Sequence, residues 1–257
     1  MGIAEQICAA MVHNGLSVAA ARDKFWLIDK PGLLQDNMQD LSENQLIYSK
    51  NPESLAAWQV ADSTHIKLAE VISNVKPTVL IGCSGVGAAF SETAIRTMAQ
   101  GVAQPIIFPL SNPTKHCEAI PSDILTWTNG MALIATGSPF NNVVYNGSDV
   151  EIAQCNNALS FPGIGLGVLA VKASTLSDNM LRAACMALSE FAPIAKDANA
   201  PLLPNLSDAR EVAKYVALKV AEAAIADNVA RLAENYNGAE LAKHIDALMW
   251  QPEYQDL

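Results

Sequence analysis

Short apolar runs alternate with amphipathic segments along the first part of the chain. The runs at 25–29, 78–83, 105–110 and 131–135 are rich in large apolar residues, which is typical of buried strands. Segments with apolar residues at helical spacing follow the second and third runs. Strands that alternate with helices form parallel sheets, so the pattern predicts an α/β, Rossmann-like parallel sheet with helices on both faces.

The pattern becomes helical after the strand-rich part. Ser177 and Ser207 are predicted to begin the two longest helices, because a serine hydroxyl can accept a hydrogen bond from the first helical turn. The change in pattern predicts two domains. Residues 1–157 are expected to form the Rossmann-like domain, and residues 158–257 are expected to form a part built of helices.

Composition and charge exclude several classes of protein. Of the 257 residues, 51% are hydrophobic and 16% are charged, which indicates a buried core rather than disorder. The net charge of −10 gives no electrostatic footprint for nucleic acid or an anionic membrane, and no apolar run reaches the roughly 18 residues of a membrane span. Five scattered cysteines and four distant histidines form no disulfide framework or metal motif, so we expect a cytoplasmic protein with no metal ligands in this chain.

Three polar motifs follow the predicted strands or lie close to them. They are Leu-Ser-Asn-Pro-Thr at 110–114, Ala-Thr-Gly-Ser-Pro-Phe-Asn at 135–141, and Gln-Cys-Asn-Asn-Ala-Leu-Ser-Phe-Pro-Gly at 154–163. In an open parallel sheet, ligands bind beyond the carboxyl ends of the strands, and an asparagine amide offers both a donor and an acceptor there. Each motif alone is equally typical of an ordinary turn, because these residue types also favour turns. Together the three motifs favour a binding site.

Two further features are typical of dinucleotide binding. Asp29 ends a predicted strand, where an acid can accept a hydrogen bond from the ribose 2′-hydroxyl; the alternative is a solvated carboxylate. The other feature is a glycine-rich turn that follows the run at 78–83. Its residues Gly82, Ser84, Gly85 and Gly87 allow close backbone approach to a ligand, although their spacing is not that of the Rossmann fingerprint.

The three polar motifs, in this order and spacing, resemble the nucleotide-binding half of malic enzymes, and most of all the bacterial NAD-linked type. The resemblance extends from Gly-Ile-Ala-Glu-Gln-Ile at 2–7 to Trp-Gln-Pro-Glu-Tyr at 250–254. It implies a part of an enzyme that converts (S)-malate to pyruvate and CO2 with formation of NADH. It also implies a homo-oligomer with malate and pyruvate as its small-molecule partners.

The resemblance implies roles for particular residues. Asp29 without an obvious phosphate-binding basic residue favours NAD over NADP, because the position aligned with the basic residue of NADP-preferring malic enzymes is Gln45. Asn112 and Asn157 are expected to hydrogen-bond the hydroxy acid and the nicotinamide, with Asn156 beside them. The implied cofactor-binding residues are Asp29, Gly82, Ser84, Gly85, Asn112 and Asn156, and the implied substrate-binding residues are Asn112 and Asn157.

The sequence also departs from the family. Malic enzymes place their general base, general acid and the ligands of a divalent Mg or Mn ion upstream of the phosphate-binding turn, and this chain begins after that turn. We therefore assign no catalytic residue and no metal ligand here, and we expect the sheet to lack its first strand. Met1 lies within a helical pattern, so we expect a C-terminal piece of a larger enzyme. Without the catalytic half, this piece is expected to be inactive, and its helical part is expected to pack on the missing substrate domain and on the NAD-binding domain. The alternative is a non-catalytic nucleotide-binding or regulatory module.

Overall fold

The computed structural model describes residues 2–198, 200–232 and 238–251. Met1 and the 252–254 end of the predicted resemblance lie outside these residues. The chain divides into two compact units. Unit 1 comprises Met1–Leu133 and Val143–Val150, and unit 2 comprises Ile134–Asn142 and Glu151–Leu257. The domains 1–157 and 158–257 stay a prediction about functional organisation.

The helices and strands of the described residues follow the alternating pattern of the sequence. The helices are α1 (Gly2–His13), α2 (Val18–Asp23), α3 (Glu43–Leu46), α4 (Leu68–Val75), α5 (Glu92–Gly101), α6 (Pro121–Trp127), α7 (Phe161–Ala170), α8 (Asp178–Phe191), α9 (Ala209–Ala226) and α10 (Gly238–Leu248). The strands are β1 (Ile28–Asp29), β2 (Gly32–Leu33), β3 (Val79–Gly82), β4 (Ile106–Pro109), β5 (Leu133–Thr136), β6 (Val143–Tyr145), β7 (Ser148–Val150) and β8 (Ala153–Gln154).

A parallel sheet with the strand order β3-β4-β5-β8 confirms the predicted α/β fold class. β3 and β4 pair in parallel, with Val79 opposite Ile106 and Gly82 opposite Pro109. β5 and β8 are also parallel, with Ala135 opposite Ala153. Helices α5 and α6 provide the crossovers from β3 to β4 and from β4 to β5, as parallel strands require. Ser91 caps α5 by accepting a hydrogen bond from the backbone N–H of Ala94.

The run at 25–29 does not form the sheet strand that its apolar character predicts. Only Ile28–Asp29 is a strand, and it pairs antiparallel with β2 in a separate two-stranded sheet. Backbone groups of this segment bond to residues nearby in the chain. The carbonyl of Leu27, for example, accepts from the N–H of Leu34 at 2.9 Å.

The core of unit 2 lies among α7, α8, α9 and α10. α7 and α9 approach closely because two glycines of α7 face α9. A Cβ atom at Gly163 would lie 2.6 Å from Cβ of Val216, and one at Gly167 would lie 2.6 Å from the carbonyl oxygen of Ala217 and 2.9 Å from Cβ of Val220. The glycines therefore set the spacing of this helix pair.

Candidate functional site

Two loops of unit 1 leave the carboxyl ends of neighbouring parallel strands and are bonded to each other. We call them the β3 loop (residues 83–90) and the β4 loop (residues 110–120). The N–H of Ala88 donates to the carbonyl of Cys117 at 3.1 Å, and the N–H of Phe90 donates to the carbonyl of Glu118 at 2.9 Å. The two loops therefore form one ordered body at the edge of the sheet where ligands bind in this type of fold.

A buried carboxylate, that of Glu118, also joins the two loops. Its residue has 0% of its surface exposed. Oε1 accepts from the N–H and from the hydroxyl of Ser84, both at 2.8 Å, and from the hydroxyl of Ser111 at 2.5 Å. Oε2 accepts from the N–H of Ser111 at 3.2 Å. One side chain of the β4 loop thus binds the first polar residue of each loop.

The two serine hydroxyls extend this network into the glycine-rich turn. Oγ of Ser111 accepts from the N–H of Gly85 at 2.9 Å, and Oγ of Ser84 accepts from the N–H of Val86 at 3.1 Å. Three consecutive N–H groups, those of Ser84, Gly85 and Val86, therefore donate to acceptors within the protein. In this arrangement the turn does not present those groups to a phosphate, unlike the phosphate-binding turns at helix N-termini.

The electrostatics of the network favour an ionised carboxylate. Burial raises the pKa of Glu118, but the hydrogen bonds from Ser111 and Ser84 outweigh burial and lower the pKa below its ordinary value of 4.5. Burial, and then the charge of Glu118, raises the pKa of the neighbouring Cys83 thiol. Burial likewise raises the pKa of Cys117. Both thiols are therefore held protonated and are poor nucleophiles.

Glycine is required at three positions of these loops for packing or for backbone geometry. A Cβ atom at Gly82 would lie 2.6 Å from Cδ of Glu118, and one at Gly87 would lie 2.4 Å from the carbonyl oxygen of Lys115. Gly85 has a φ of +69°, which a residue with a side chain rarely adopts. The structure thus brings the predicted Gly82, Ser84 and Gly85 together.

A second part of unit 1 surrounds Asp29, which is exposed at the end of β1. Its Oδ1 accepts from the N–H of Lys30 at 2.8 Å, and its Oδ2 accepts from Nε2 of Gln45 at 3.3 Å. Oε1 of Gln45 in turn accepts from the N–H and the hydroxyl of Ser42, both at 2.9 Å, in the capping box of α3. The structure therefore brings Gln45 to Asp29, although the two are 16 residues apart.

The three predicted asparagines lie in different units. Asn112 is exposed in the β4 loop of unit 1, directly before Pro113. In unit 2, Oδ1 of Asn156 accepts from the N–H of Ala158 at 2.9 Å and caps a short 3-10 turn, while Asn157 is exposed. Asn156 thus makes the local bond that an ordinary turn requires.

The middle polar motif fastens the ends of β5 and β8 in unit 2. The N–H of Cys155 donates to the carbonyl of Thr136 at 2.8 Å, and Nε2 of Gln154 donates to the carbonyl of Gly137 at 3.3 Å. The buried Thr136 hydroxyl donates to the carbonyl of Ser138 at 2.9 Å. These bonds give the buried Thr136 hydroxyl of the motif a structural role.

Comparison with known proteins relates these loops to a family. The family model described as "Malic enzyme, NAD binding domain" matches residues 1–225. The chain belongs to the malic enzyme family. The predicted resemblance is therefore confirmed, and the matched part is the NAD-binding domain of that family.

The relatives of this malic enzyme domain are longer proteins. The NAD-dependent malic enzyme of Acinetobacter baylyi is 46% identical over 254 residues, which are 99% of this chain and 44% of the relative. That of Shewanella frigidimarina is 48% identical with the same coverage. The chain thus spans less than half the length of these relatives.

Solved structures support the fold of the malic enzyme domain. The crystal structure of Entamoeba histolytica malic enzyme matches 93% of this chain and 44% of that chain, with a TM-score of 0.69 at 24% identity. The malic enzyme of Pyrococcus horikoshii matches 84% of this chain and 43% of that chain, with a TM-score of 0.60 at 23% identity.

Two negative observations bound what the described part of this malic enzyme domain can hold. Within residues 2–198, 200–232 and 238–251, no group of three or more His, Cys, Asp or Glu side chains is arranged to hold a metal ion. No helix in the same ranges combines the length and the apolar character needed to cross a membrane. The described residues therefore do not by themselves form a site for the divalent metal that the resemblance implies.

The residue that sequence reasoning missed in this domain is Glu118. A signal for it exists, because this acid, seven residues after Ser111, follows Cys117 and precedes the apolar residues Ala119 and Ile120. An acid in such a setting is buried only when it is well bonded. Its partner Ser84 lies 34 residues away, so the bonds themselves could not be read from local pattern.

Proposed function

We propose that this malic enzyme domain binds NAD+ and NADH, and that the enzyme to which it belongs converts (S)-malate to pyruvate and CO2. The observation that carries the proposal is the exposed carboxylate of Asp29, fixed by the Gln45 amide in a chain that matches an NAD-binding family. A fixed, exposed carboxylate at a strand end suits the two hydroxyls of an adenosine ribose.

The environment of Asp29 favours NAD over NADP. Gln45 is an uncharged amide at the position aligned with the basic residue of NADP-preferring relatives. It lies 3.3 Å from Asp29, with its own oxygen already held by Ser42. A 2′-phosphate placed beside Asp29 would meet a second negative charge, whereas a 2′-hydroxyl would donate to it.

The part of the proposed site where hydride transfer takes place contains neutral amide side chains. Asn112 and Asn157 would hydrogen-bond the hydroxy acid and the nicotinamide carboxamide without changing charge, which suits a step that moves a hydride. In the overall reaction the hydride leaves C2 of malate for the nicotinamide, and the C2 hydroxyl loses its proton. The carboxyl group attached to C3 then leaves as CO2, and C3 takes up a proton to give pyruvate. Asn112 and Asn157 would position these groups and transfer no proton themselves.

The remaining predicted residues shape the site. Gly82, Ser84 and Gly85 would form a wall that approaches the cofactor closely, and Asn156 would lie beside Asn157. The base, the acid and the ligands of a divalent metal would come from the rest of the enzyme. We further propose a cytoplasmic homo-oligomer, with no nucleic acid and no membrane as partners, in keeping with the acidic net charge of −10.

Calorimetric titration with NAD+ tests cofactor binding by the chain itself. Asp29→Asn removes the carboxylate and is expected to weaken binding about tenfold, because a hydrogen bond to a charged group is worth roughly 1.5–3 kcal/mol. Asp40→Asn removes the same charge from an exposed position between β2 and α3 and is expected to leave the affinity unchanged. A chain that does not bind NAD+, or an Asp29→Asn variant that binds equally well, would contradict the proposal.

Malate-dependent formation of NADH in the presence of Mn2+ or Mg2+ tests the wider reaction. We expect turnover in a version of the chain extended upstream and none in the present chain. Turnover by the present chain would place the base and metal ligands within it. NAD+ binding without turnover in either version would favour the alternative of a non-catalytic module.

A further inference from the structure

We propose that Glu118 is a positioning residue of the dinucleotide site, which holds the glycine-rich turn of the β3 loop and Ser111 of the β4 loop in the conformation that receives the cofactor. The inference rests on the proposed function and adds to it a residue that touches neither cofactor nor substrate. It acts through Ser84, Gly85 and Ser111.

Donors from both loops converge on one carboxylate. Two donors from Ser84 in the β3 loop and two donors from Ser111 in the β4 loop reach the Glu118 oxygens at 2.5–3.2 Å. Ser111 then binds the N–H of Gly85 at 2.9 Å. A change at Glu118 is therefore transmitted to the backbone of the turn and to the residue directly before Asn112.

Glu118 has no cationic partner among the described residues. Among the ion pairs of the described residues, none includes Glu118. Its charge has no solvent exposure, so neutral donors from the two loops alone compensate it. A buried charge that loses its donors is strongly unfavourable, so the carboxylate penalises any conformation in which Ser84 or Ser111 turns away.

The order of these loops lowers the cost of cofactor binding. A loop that is already ordered loses little conformational entropy when a ligand binds, so preorganisation increases affinity. Close packing also restricts the same turn, because Gly82 lies against the Glu118 side chain and Gly87 against the carbonyl oxygen of Lys115. Glu118 supplies the polar part of this preorganisation, because three N–H groups of the turn donate to the hydrogen-bond network of Glu118, Ser84 and Ser111.

The substitution Glu118→Gln tests the role with little change of volume. A glutamine amide has one oxygen and one NH2 group, whereas both carboxylate oxygens of Glu118 face donors. In either orientation the NH2 group meets an N–H donor, that of Ser84 or that of Ser111. We therefore expect the turn to loosen and NAD+ affinity to fall at least about tenfold, which is the scale of losing a charge-assisted bond.

The experiment measures NAD+ affinity by calorimetry and amide exchange by NMR for the unsubstituted chain, Glu118→Gln, Ser111→Ala and Ile124→Val. Ile124 is a fully buried apolar residue of α6 in the same unit, so Ile124→Val lowers stability without touching the network. We expect faster exchange at Ser84 and Gly85 and weaker NAD+ binding in Glu118→Gln and, to a lesser extent, in Ser111→Ala. Ile124→Val should keep the original affinity.

The outcomes separate this proposal from the proposed function. If the unsubstituted chain and Glu118→Gln bind NAD+ equally, the role of Glu118 is refuted while the proposed function stands. If the unsubstituted chain does not bind NAD+, both are refuted. An equal loss of affinity in Ile124→Val would show a general effect of stability and would also overturn the positioning role. Should Glu118→Gln fail to fold, Ser111→Ala, which keeps the carboxylate, decides the question by the same criteria.

Discussion

Replacing Gly167 by alanine is expected to destabilise unit 2 through its contact with α9. The added methyl carbon would lie 2.6 Å from the carbonyl oxygen of Ala217 and 2.9 Å from Cβ of Val220. Favourable contacts of carbon atoms are about 3.5–4.0 Å long, so the helices must move apart by several tenths of an ångström. Because one of the contacting atoms is backbone, a change of rotamer cannot relieve the overlap.

The magnitude follows from two opposing effects. Forcing an extra methyl group into a packed core costs about 1–3 kcal/mol. Alanine in a helix interior is favoured over glycine by about 0.5–1 kcal/mol, which offsets part of that cost. The expected net change in the free energy of unfolding for Gly167→Ala is a loss of about 1–2 kcal/mol.

Gly165 of the same helix provides a matched control. A Cβ atom there would meet nothing within 4 Å, so Gly165→Ala retains the gain in helix propensity and adds no overlap. It is expected to stabilise the chain by about 0.5–1 kcal/mol. The difference between the two variants isolates the packing cost, because the substitution and the helix are the same.

Urea unfolding followed by far-ultraviolet circular dichroism measures both changes. Equal slopes of the free energy against urea concentration would show that the unfolded states are comparable. If Gly167→Ala proved as stable as Gly165→Ala, the close approach of α7 and α9 would not constrain this position, and the reasoning would be refuted.

Three further predictions concern unit 1. The pKa of Glu118 is lowered in the folded state, so its stabilising effect is fully present above 4.5 and is lost as the pH falls through the folded value. Chemical unfolding at a series of pH values should show this pH-dependent part of the free energy of unfolding in the unsubstituted chain and not in Glu118→Gln. Gln45→Lys places a cation beside the exposed strand-end carboxylate and is expected to raise the NADP+ to NAD+ affinity ratio about tenfold, as measured by calorimetry. Lys50→Met removes two hydrogen bonds to Asp23, of 2.7 and 2.9 Å, and a contact of 4.1 Å with the Trp26 ring. It should cost about 1–2 kcal/mol in urea unfolding.

Each of these predictions has a clear contrary result. If the free energy of unfolding varied with pH in the same way in the unsubstituted chain and in Glu118→Gln, the carboxylate would have the same pKa in the folded and unfolded states. An unchanged ratio of NADP+ to NAD+ affinity in Gln45→Lys would show that residue 45 does not determine which cofactor binds. Gln39→Lys, between β2 and α3, is the control for the added charge. Full stability in Lys50→Met would show that the buried methylenes of Lys50, rather than its ammonium group, hold this part of unit 1.

The sequence predicted those elements whose signals are local. The apolar runs at 78–83 and 105–110 became β3 and β4, and the hydroxyl of Ser177 caps α8 as expected. Each of these signals is contained within one turn of helix or one run of strand, where periodicity and capping chemistry act directly. Ser207, in contrast, lies in a short 3-10 helix, and α9 begins at Ala209.

The parts that escaped prediction depend on residues distant in sequence. The run at 25–29 has the composition of a sheet strand, yet only Ile28–Asp29 pairs, because pairing depends on a neighbouring strand rather than on the run itself. Ser42 and Gln45 show the spacing of a capping box within a connection that otherwise has the composition of a loop. Glu118 required knowledge that the chain returns to Ser84, which no periodicity conveys.

Gly163 and Gly167 of α7 also determine the register of this helix against α9. Its ten residues, Phe-Pro-Gly-Ile-Gly-Leu-Gly-Val-Leu-Ala, contain no side chain that could fix a position by hydrogen bonding or charge. Gly163 receives Val216 and Gly167 receives Val220, so the two glycines and the two valines have the same spacing of four positions. If α9 were shifted by one helical turn along α7, Val220 would lie opposite Val171 instead of Gly167. The side chain of Val171 would then occupy the space that Val220 needs. The two glycines thus fix the register of this apolar helix against α9. Substitutions there would change which residues are in contact as well as how tightly they pack.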